Sequence, residues 1–190
     1  MELDAQRIAL VVIDLQNGIV ARALAPHSSG QVIERAASLG QRFNEIGAPL
    51  ALVHVSFGSS GVLRPPQVVD EPMPAPPGGL PPDWANFVPE MASLHADIRI
   101  TKRQWGAFHG TELDLQLRRR AITSIVLCGI ATNFGVEGTA REAWQHNYDV
   151  IVAEDACSSM SADMHAFSMT RILPRISRVR STAEILAALD

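Results

Sequence analysis

The stretch Val126–Arg141, VLCGIATNFGVEGTAR, decides the fold of this chain. Its apolar beginning predicts a buried strand over 125–128, and the glycines and threonine that follow predict a tight corner. Glu137 and Arg141 stand four residues apart, as they do on one face of a helix. A strand that enters a helix through such a corner presents backbone N–H groups at one edge of a sheet, and this arrangement attracts anions. Nucleophilic enzymes often place a serine or cysteine at such a corner, whereas Gly135 begins the helix here.

Length and charge limit the classes of protein to which the chain can belong. Its 190 residues suffice for one domain with a substantial core, so we expect a single domain over 1–190. The net charge of −4 and the lack of a Lys/Arg run along one face argue against nucleic acid and favour small-molecule or protein partners; we expect a small-molecule substrate. No apolar run reaches the length of a membrane span, and the opening residues lack a basic n-region. We therefore expect a soluble, cytoplasmic protein without a membrane partner.

Short apolar runs alternate with amphipathic segments along the chain. The runs predict six strands, at 8–13, 49–55, 97–101, 125–128, 149–153 and 175–180. The intervening segments predict a helix that begins at Ser28 and Ser29 and ends at Gly47, and further helices at 111–120, 135–147, 161–172 and 182–189. Strands that alternate with helices predict the α/β class, as a three-layer αβα fold with a six-stranded, mainly parallel sheet.

Residues 58–89 interrupt this alternation. They hold nine of the twelve prolines and show neither helical nor strand periodicity. The segment is either a solvated linker or an ordered loop that covers a site. We favour the cover, because long loops inside compact domains are usually functional.

Two charged residues follow predicted strands, at the edge where doubly wound sheets bind ligands. Asp14 follows an entirely apolar strand, so its carboxylate is expected to be paired or to have a raised pKa; the alternative is a carboxylate that caps the next turn. Lys102 follows the third strand and is either a partner for Asp14 or an ordinary surface lysine. The aromatic side chains of Trp105 and Phe108 either wall a pocket or belong to the core.

Several kinds of site lack support in the sequence. Neither the dinucleotide pattern G-x-G-x-x-G nor the phosphate loop G-x-x-x-x-G-K-[ST] is present, so we expect no cofactor. The six histidines and two cysteines do not stand at metal-ligand spacings, so we expect no metal. Cys128 and Cys157 are expected to be buried, reduced thiols, since both stand in segments with an internal pattern. The alternative of an attacking role for Cys157 is disfavoured, because no base is evident beside it.

Taken together, four segments resemble the isochorismatase-like hydrolase family of the cysteine hydrolase superfamily. They are DLQN at 14–17, KRQWGAFHGT at 102–111, GIATNFGV at 129–136 and EDACS at 154–158. The resemblance covers nearly the whole chain. It implies a Rossmann-like sheet of six strands, a homo-oligomer such as a dimer or tetramer, and a site near a subunit interface.

The resemblance also implies roles for individual residues. Most members of the family use an Asp, a Lys and a Cys, which correspond here to Asp14, Lys102 and Gly135. A cis peptide bond at the corner would join Ile130 to Ala131. The residues that the resemblance places around a substrate or its oxyanion are Ile130, Ala131, Gly135, Gln16, Trp105 and Phe108.

Gly135 at the cysteine position removes the nucleophile of the family's amidases. The metal motif D-x-H of the nicotinamidase branch is also missing around His54. The resemblance then favours the isochorismatases, in which the Asp protonates a vinyl ether and water attacks the resulting cation. Arg64 and Arg103 are candidate partners for the substrate's carboxylates. The alternatives are an amidase in which water attacks directly, and a non-catalytic protein that binds a small molecule or another protein.

Overall fold

The structure is a computed structural model, and it describes residues 3–58, 61–65, 68–72 and 78–189. Its centre is a six-stranded sheet in the order β3-β2-β1-β4-β5-β6. All pairings between these strands are parallel, which confirms the predicted α/β class. The strands are β1 (Ile8–Ile13), β2 (Leu50–Val55), β3 (Ile98–Lys102), β4 (Ser124–Ile130), β5 (Asp149–Ser158) and β6 (Arg178–Arg180).

Seven α-helices lie along the described chain between and after these strands. They are α1 (Asn17–Val20), α2 (Ser29–Glu45), α3 (Pro89–Ala92), α4 (Leu113–Arg119), α5 (Glu137–Gln145), α6 (Ala162–Phe167) and α7 (Thr182–Ala187). Two π turns adjoin helices: Thr132–Val136 connects β4 to α5, and Ser168–Ile172 follows α6 directly. Within the described residues, no helix has both the length and the apolar character needed to cross a bilayer.

Helix α2 shows how local sequence sets an element. The Ser28 side chain accepts a hydrogen bond from the Gln31 amide, and the Gln31 side chain accepts one from the Ser28 amide. Gly47 adopts a φ of 68° just beyond the other end, as a left-handed stop requires. Between these ends, buried Val32 and Phe43 place one face of the helix in the core. The start at Ser28 and the stop at Gly47 agree with the sequence prediction.

Strand β5 differs most from its predicted length. It continues to Ser158 instead of ending near residue 153, and β4 likewise extends to Ile130. The register between the two strands shifts after Leu127, and the pairing resumes at Gly129 with Cys157. Charged residues at 154 and 155 occupy this irregularity, which is why the residue pattern indicated a loop there.

Strand β1 lies between β2 and β4, at the point where the strand order changes direction. Gly129 permits the close approach of β4 to the end of β1: its φ is 123°, and a Cβ there would lie 2.0 Å from the Ile13 carbonyl oxygen. The residues after β1 and the corner after β4 are therefore neighbours. This is the edge at which ligands bind in sheets of this kind.

The end of the long loop packs against the turn that follows β1. The amides of Asn17 and Gly18 donate to the carbonyl oxygens of Asn86 and Trp84, at 2.9 Å each. A Cβ at Gly18 would lie 1.9 Å from the Trp84 ring, so glycine permits this contact. This part of the loop thus lies against the residues that follow Asp14 in the chain, and its role as a cover over a site stays a prediction. The rest of that prediction falls partly outside the described residues, at 59–60, 66–67 and 73–77.

Candidate active site

Asp14 lies immediately after β1 and is 5% exposed. Its backbone has a φ of 55°, and its amide donates to the Val53 carbonyl oxygen at 2.9 Å. The Oδ2 atom is 2.7 Å from Lys102 Nζ. The Oδ1 atom is buried and has no hydrogen-bond partner among the residues that the structure describes. One oxygen is therefore paired, while the other retains its capacity to contact a substrate.

Lys102 is the only lysine in the chain, and its side chain is 2% exposed. It ends β3, which β2 separates from β1, so the side chains of Lys102 and Asp14 together bridge the roughly 10 Å between these two strands. The ammonium group also donates to the carbonyl oxygens of Gln104 at 3.0 Å and Trp105 at 2.9 Å. Its three N–H donors thus have three acceptors. The pairing with Asp14 that the sequence left open is present, and the surface alternative is wrong.

Burial raises the pKa of Asp14 above the ordinary aspartate value of 3.8. The carboxylate loses its hydration at this depth, which disfavours the charged form. Lys102 opposes the shift through its charge and its hydrogen bond, and His54 opposes it further. A carboxyl group that keeps its proton to a higher pH is suited to act as a general acid.

Gly135 faces Asp14 from the π turn between β4 and α5. A Cβ at this position would lie 3.3 Å from Asp14 Oδ2, 2.9 Å from Ile13 Cγ2 and 3.6 Å from the Ile130 carbonyl oxygen. A side chain here would lie beside the carboxylate, and the correspondence of Gly135 to the family's cysteine stays a prediction. The helix itself begins at Glu137, two residues later than predicted, because the π turn precedes it.

The corner before Gly135 contains the cis peptide bond between Ile130 and Ala131 that the resemblance implied. The Ala131 carbonyl oxygen accepts the amides of Phe134 and Val136, both at 3.1 Å. These bonds hold the π turn against the end of β4. The roles of the Ala131 and Gly135 amides toward an oxyanion stay predictions.

Two glycines allow the segment after Lys102 to contact α5. A Cβ at Gly138 would lie 3.5 Å from the Gly106 nitrogen, which is close contact between the two backbones. Thr139 ties them further, since its hydroxyl accepts the Ala107 amide at 3.1 Å and donates to the Gly135 carbonyl oxygen at 2.7 Å. The position of Gly135 is thereby coupled to that of Lys102.

Gln16, a predicted substrate contact, is 0% exposed and bonded to backbone. Its Oε1 accepts the Val55 amide at 2.8 Å, and its Nε2 donates to the carbonyl oxygens of Val55 at 3.0 Å and Trp84 at 3.2 Å. The side chain thus joins β2 to the covering loop. Direct contact with a substrate stays a prediction.

Replacing Gln16 by methionine is expected to lower the free energy of unfolding by about 1–3 kcal/mol, because the buried Val55 amide loses its acceptor. Urea denaturation measures this change. The variant should also become more sensitive to proteolysis near Trp84, where its second contact lies. An unchanged unfolding free energy would show that the Gln16 bonds contribute no stability.

The two predicted aromatic residues lie in different surroundings. Trp105 is 57% exposed, and its ring centroid is 4.7 Å from that of Phe134 in the corner, which places it beside the site. Phe108 is buried against His146 and Tyr148, with ring centroids 5.3 and 5.7 Å apart. Phe108 therefore has the core environment that the sequence gave as its alternative, and its role as a pocket wall stays a prediction.

Both cysteines are fully buried, as expected. Burial, together with the charge of Asp155, raises the pKa of Cys128 to about 12. Burial and the neighbouring Cys128 raise the pKa of Cys157 well above the usual thiol value. Only a thiolate attacks substrates, so neither cysteine has the properties of a nucleophile at neutral pH.

The two candidate arginines differ in their contacts. The Arg64 guanidinium carbon lies 5.6 Å from the centroid of the Phe57 ring, which itself packs against Trp84 of the covering loop. Arg103 Nη1 donates to the carbonyl oxygen of Lys102 at 3.3 Å. Arg64 thus contacts the aromatic residues beside the cover. A role for either arginine in binding a carboxylate stays a prediction.

The structure brings together three possible metal ligands that residue spacing did not predict: His27, Glu154 and His165. Their ligand atoms all lie within 4.8 Å of one another. These residues come from three distant segments, so no local motif marks them. His165 Nδ1 lies 2.9 Å from the Thr132 hydroxyl in the π turn. The sequence indicated only that His54 is not part of a metal motif. In the structure His54 is close enough to Asp14 to influence its pKa, and its Nε2 lies 2.8 Å from the Thr101 hydroxyl.

Comparison with known proteins agrees with the family resemblance. The family model described as the isochorismatase domain matches residues 8–184. The uncharacterized isochorismatase family protein YecD of Escherichia coli O157:H7 is 50% identical over 189 residues, which is 100% of both chains. A solved isochorismatase family protein from Burkholderia thailandensis has a TM-score of 0.90 at 45% identity, covering 99% of this chain and 97% of that one. The ureidoacrylate amidohydrolase RutB of Acinetobacter baylyi is 37% identical over 87 residues, which is 45% of this chain and 36% of RutB. The chain belongs to the isochorismatase family.

Proposed function

We propose that this chain is a cofactor-independent hydrolase that lacks the family's cysteine nucleophile and cleaves a small carboxylated vinyl ether of the isochorismate type. The observation that carries the proposal is that the position beside Asp14 is a glycine, Gly135, without a side chain. The position from which a cysteine would attack is Gly135, and a Cβ there would lie 3.3 Å from Asp14 Oδ2. The buried acid therefore has no thiol beside it at this position, which favours acid catalysis over nucleophilic catalysis.

Asp14 acts first as an acid in the proposed reaction. It transfers its proton to the terminal carbon of the vinyl ether, which leaves an oxocarbenium ion at the carbon that carries the ether oxygen. Water adds to that carbon and returns a proton to the Asp14 carboxylate, which gives a hemiketal. Breakage of the remaining ether C–O bond releases pyruvate and an alcohol, with the proton moving to the alcohol oxygen.

Lys102 orients Asp14 throughout this sequence. Its ammonium group contacts Oδ2 at 2.7 Å and leaves Oδ1 for the substrate. The positive charge stabilises the carboxylate after the proton has left, whereas burial favours the return of the proton. The amides of Ala131 and Gly135 would bind the substrate's developing or resident negative charge at the corner.

Incubation with isochorismate and a coupled assay for pyruvate tests the proposal directly. We expect release of pyruvate without any added metal or cofactor. A matched sample with a saturated ether analogue should stay inactive, because it has no vinyl carbon to protonate. Absence of pyruvate at high enzyme concentration would overturn the proposed substrate class.

Replacing Gly135 by alanine is expected to lower kcat/KM by roughly tenfold, because the new methyl group would lie 3.3 Å from Asp14 Oδ2 and would displace this carboxylate relative to the substrate. The nearest atom is the Cγ2 methyl group of buried Ile13 at 2.9 Å, so overpacking should lower the free energy of unfolding by about 1–3 kcal/mol. Steady-state kinetics and thermal melting separate the two effects. Replacing the exposed Gly30 by alanine is the control, since a Cβ there meets no atom within 4 Å. Full activity of the Gly135 variant would show that the reaction does not depend on a glycine beside Asp14.

A second candidate is hydrolysis of an amide by direct attack of water. The partial similarity to RutB, named for its amidohydrolase activity, favours testing ureidoacrylate-like amides. In that reaction Asp14 would act as a base toward water, and activity would rise with pH through its pKa instead of falling. The direction of the pH dependence thus separates the two reactions.

The third alternative, a protein without catalytic activity, predicts ligand-induced stabilisation with no turnover of either substrate class.

A further inference from the structure

The geometry points to a binding site for a divalent transition metal ion of the Zn²⁺ class, formed by His27, Glu154 and His165. Glu154 Oε1 lies 3.0 Å from His165 Nε2 and 3.6 Å from His27 Nε2. Ligand atoms around a tetrahedral zinc ion, each about 2.0–2.1 Å from the metal, are about 3.3 Å apart. Both distances from Glu154 Oε1 are therefore close to the separation of two corners of such a site, and all three ligand atoms lie within 4.8 Å of one another.

The His27 ring supplies the second observation. Its Nε2 atom is buried and has no hydrogen-bond partner within the described part of the chain. The His27 backbone is fixed, since its carbonyl oxygen accepts the Ser158 hydroxyl at 2.7 Å. A fixed imidazole that aims an unpartnered nitrogen at a carboxylate and a second imidazole is a group that needs a ligand.

The surroundings of His165 suit a metal ligand. The ring is 3% exposed, and its Nδ1 atom lies 2.9 Å from the Thr132 hydroxyl, which can either donate a hydrogen bond to this nitrogen or accept one from it. The Nε2 atom hydrogen-bonds Glu154 Oε1 at 3.0 Å and therefore carries the ring's proton; a metal ion would replace that proton, and Thr132 could then accept a hydrogen bond from Nδ1–H. The set of two imidazoles and one carboxylate is one that zinc accepts, with a fourth position left for water.

Arg35 opposes binding, and this gives the inference a specific test. Its Nη1 atom lies 3.3 Å from His27 Nδ1, and arginine can only donate there. The neutral His27 ring consequently carries its proton on Nε2, the atom that the metal requires. Binding must move that proton to Nδ1 and break this contact. Arg35 stays compensated by Asp155, whose carbonyl oxygen it contacts at 2.6 Å.

Titration of the full chain with Zn²⁺, after removal of bound metal by a chelator, tests the inference by calorimetry without any substrate. We expect one ion per chain, with an affinity that falls as the pH is lowered and the ligands become protonated. Titration with Co²⁺ should give the strong visible absorption of a four-coordinate site. Since neither readout uses activity, the result is independent of the proposed hydrolase.

Variants assign the binding to this cluster. His27→Ala and Glu154→Gln should each weaken Zn²⁺ binding at least about tenfold, and both side chains are only partly buried, so the fold should survive. Arg35→Gln should tighten binding, because the glutamine oxygen can accept the proton on Nδ1. The control is His95→Ala, which removes an exposed histidine that lies 3.8 Å from Asp97. Equal binding by the unaltered chain and by folded His27→Ala, or loss of binding in Arg35→Gln, would overturn the inference.

Discussion

Replacing Asp14 by asparagine is expected to lower the turnover of a vinyl ether substrate at least about a hundredfold, because asparagine cannot supply the proton. The fold should survive, since the amide oxygen can still accept the hydrogen bond from Lys102 that Oδ2 accepts at 2.7 Å. The measurement is kcat/KM from pyruvate release, with circular dichroism to check the fold. Asp163→Asn is the matched control, because Asp163 is an exposed aspartate in the first turn of α6.

The pH dependence of the unaltered enzyme provides a second readout for Asp14. The general acid must be protonated, so kcat/KM should fall as the pH rises through the pKa of Asp14. Burial raises this pKa above 3.8, which places the fall at a higher pH than an exposed aspartate would give. Residual activity in the asparagine variant should lack this fall. A variant that keeps more than about a tenth of the activity would exclude Asp14 as the acid, given the usual size of the effect.

Asp14 and Lys102 could be found from sequence because strand periodicity has a direct structural consequence. Asp14 follows the apolar strand β1 and Lys102 ends β3, in which buried and exposed residues alternate; the carboxyl ends of parallel strands share one edge of the sheet. The alternation of strands and helices likewise predicted a mainly parallel sheet, because a helix between two strands brings the second strand back in the same direction. The sequence did not establish that Lys102 pairs with Asp14. That pairing depends on the order of β3, β2 and β1 in the sheet, which local sequence patterns do not encode.

Contacts between distant segments were beyond local patterns. The extension of β5 through residues 154 and 155 depends on pairing with β4 after a register shift, and the two acidic residues indicated a loop. Gln16 was identified by resemblance, but its hydrogen bonds to Val55 and Trp84 join segments that are 39 and 68 residues away. The cluster of His27 and its two partners was missed for the same reason. Local spacing finds sites on one element, whereas these sites are assembled by the fold.

Replacing Lys102 by methionine is expected to lower the free energy of unfolding by about 3–5 kcal/mol near pH 8, because it leaves the Asp14 carboxylate buried without its counter-charge. Methionine keeps an unbranched apolar stem, so the loss reports mainly on the ammonium group and its three acceptors. Urea denaturation measures the change. Arg99→Met is the matched control, since it removes a cation from the exposed face of the same strand.

The loss in the Lys102 variant should also depend on pH in a defined direction. A carboxyl group whose pKa is higher in the folded state binds its proton more tightly there, so stability falls as pH rises from the unfolded value of 3.8 through the folded pKa. Lys102 lowers the pKa of Asp14 in the folded state. Removing Lys102 therefore raises this pKa further, and the pH range over which stability falls extends to higher pH. The variant should therefore be destabilised less at pH 5 than at pH 8. Adding Asp14→Asn should recover part of the loss at pH 8, because it removes the uncompensated charge. Equal destabilisation at both pH values, with no recovery in the double variant, would mean that the two side chains are not energetically coupled.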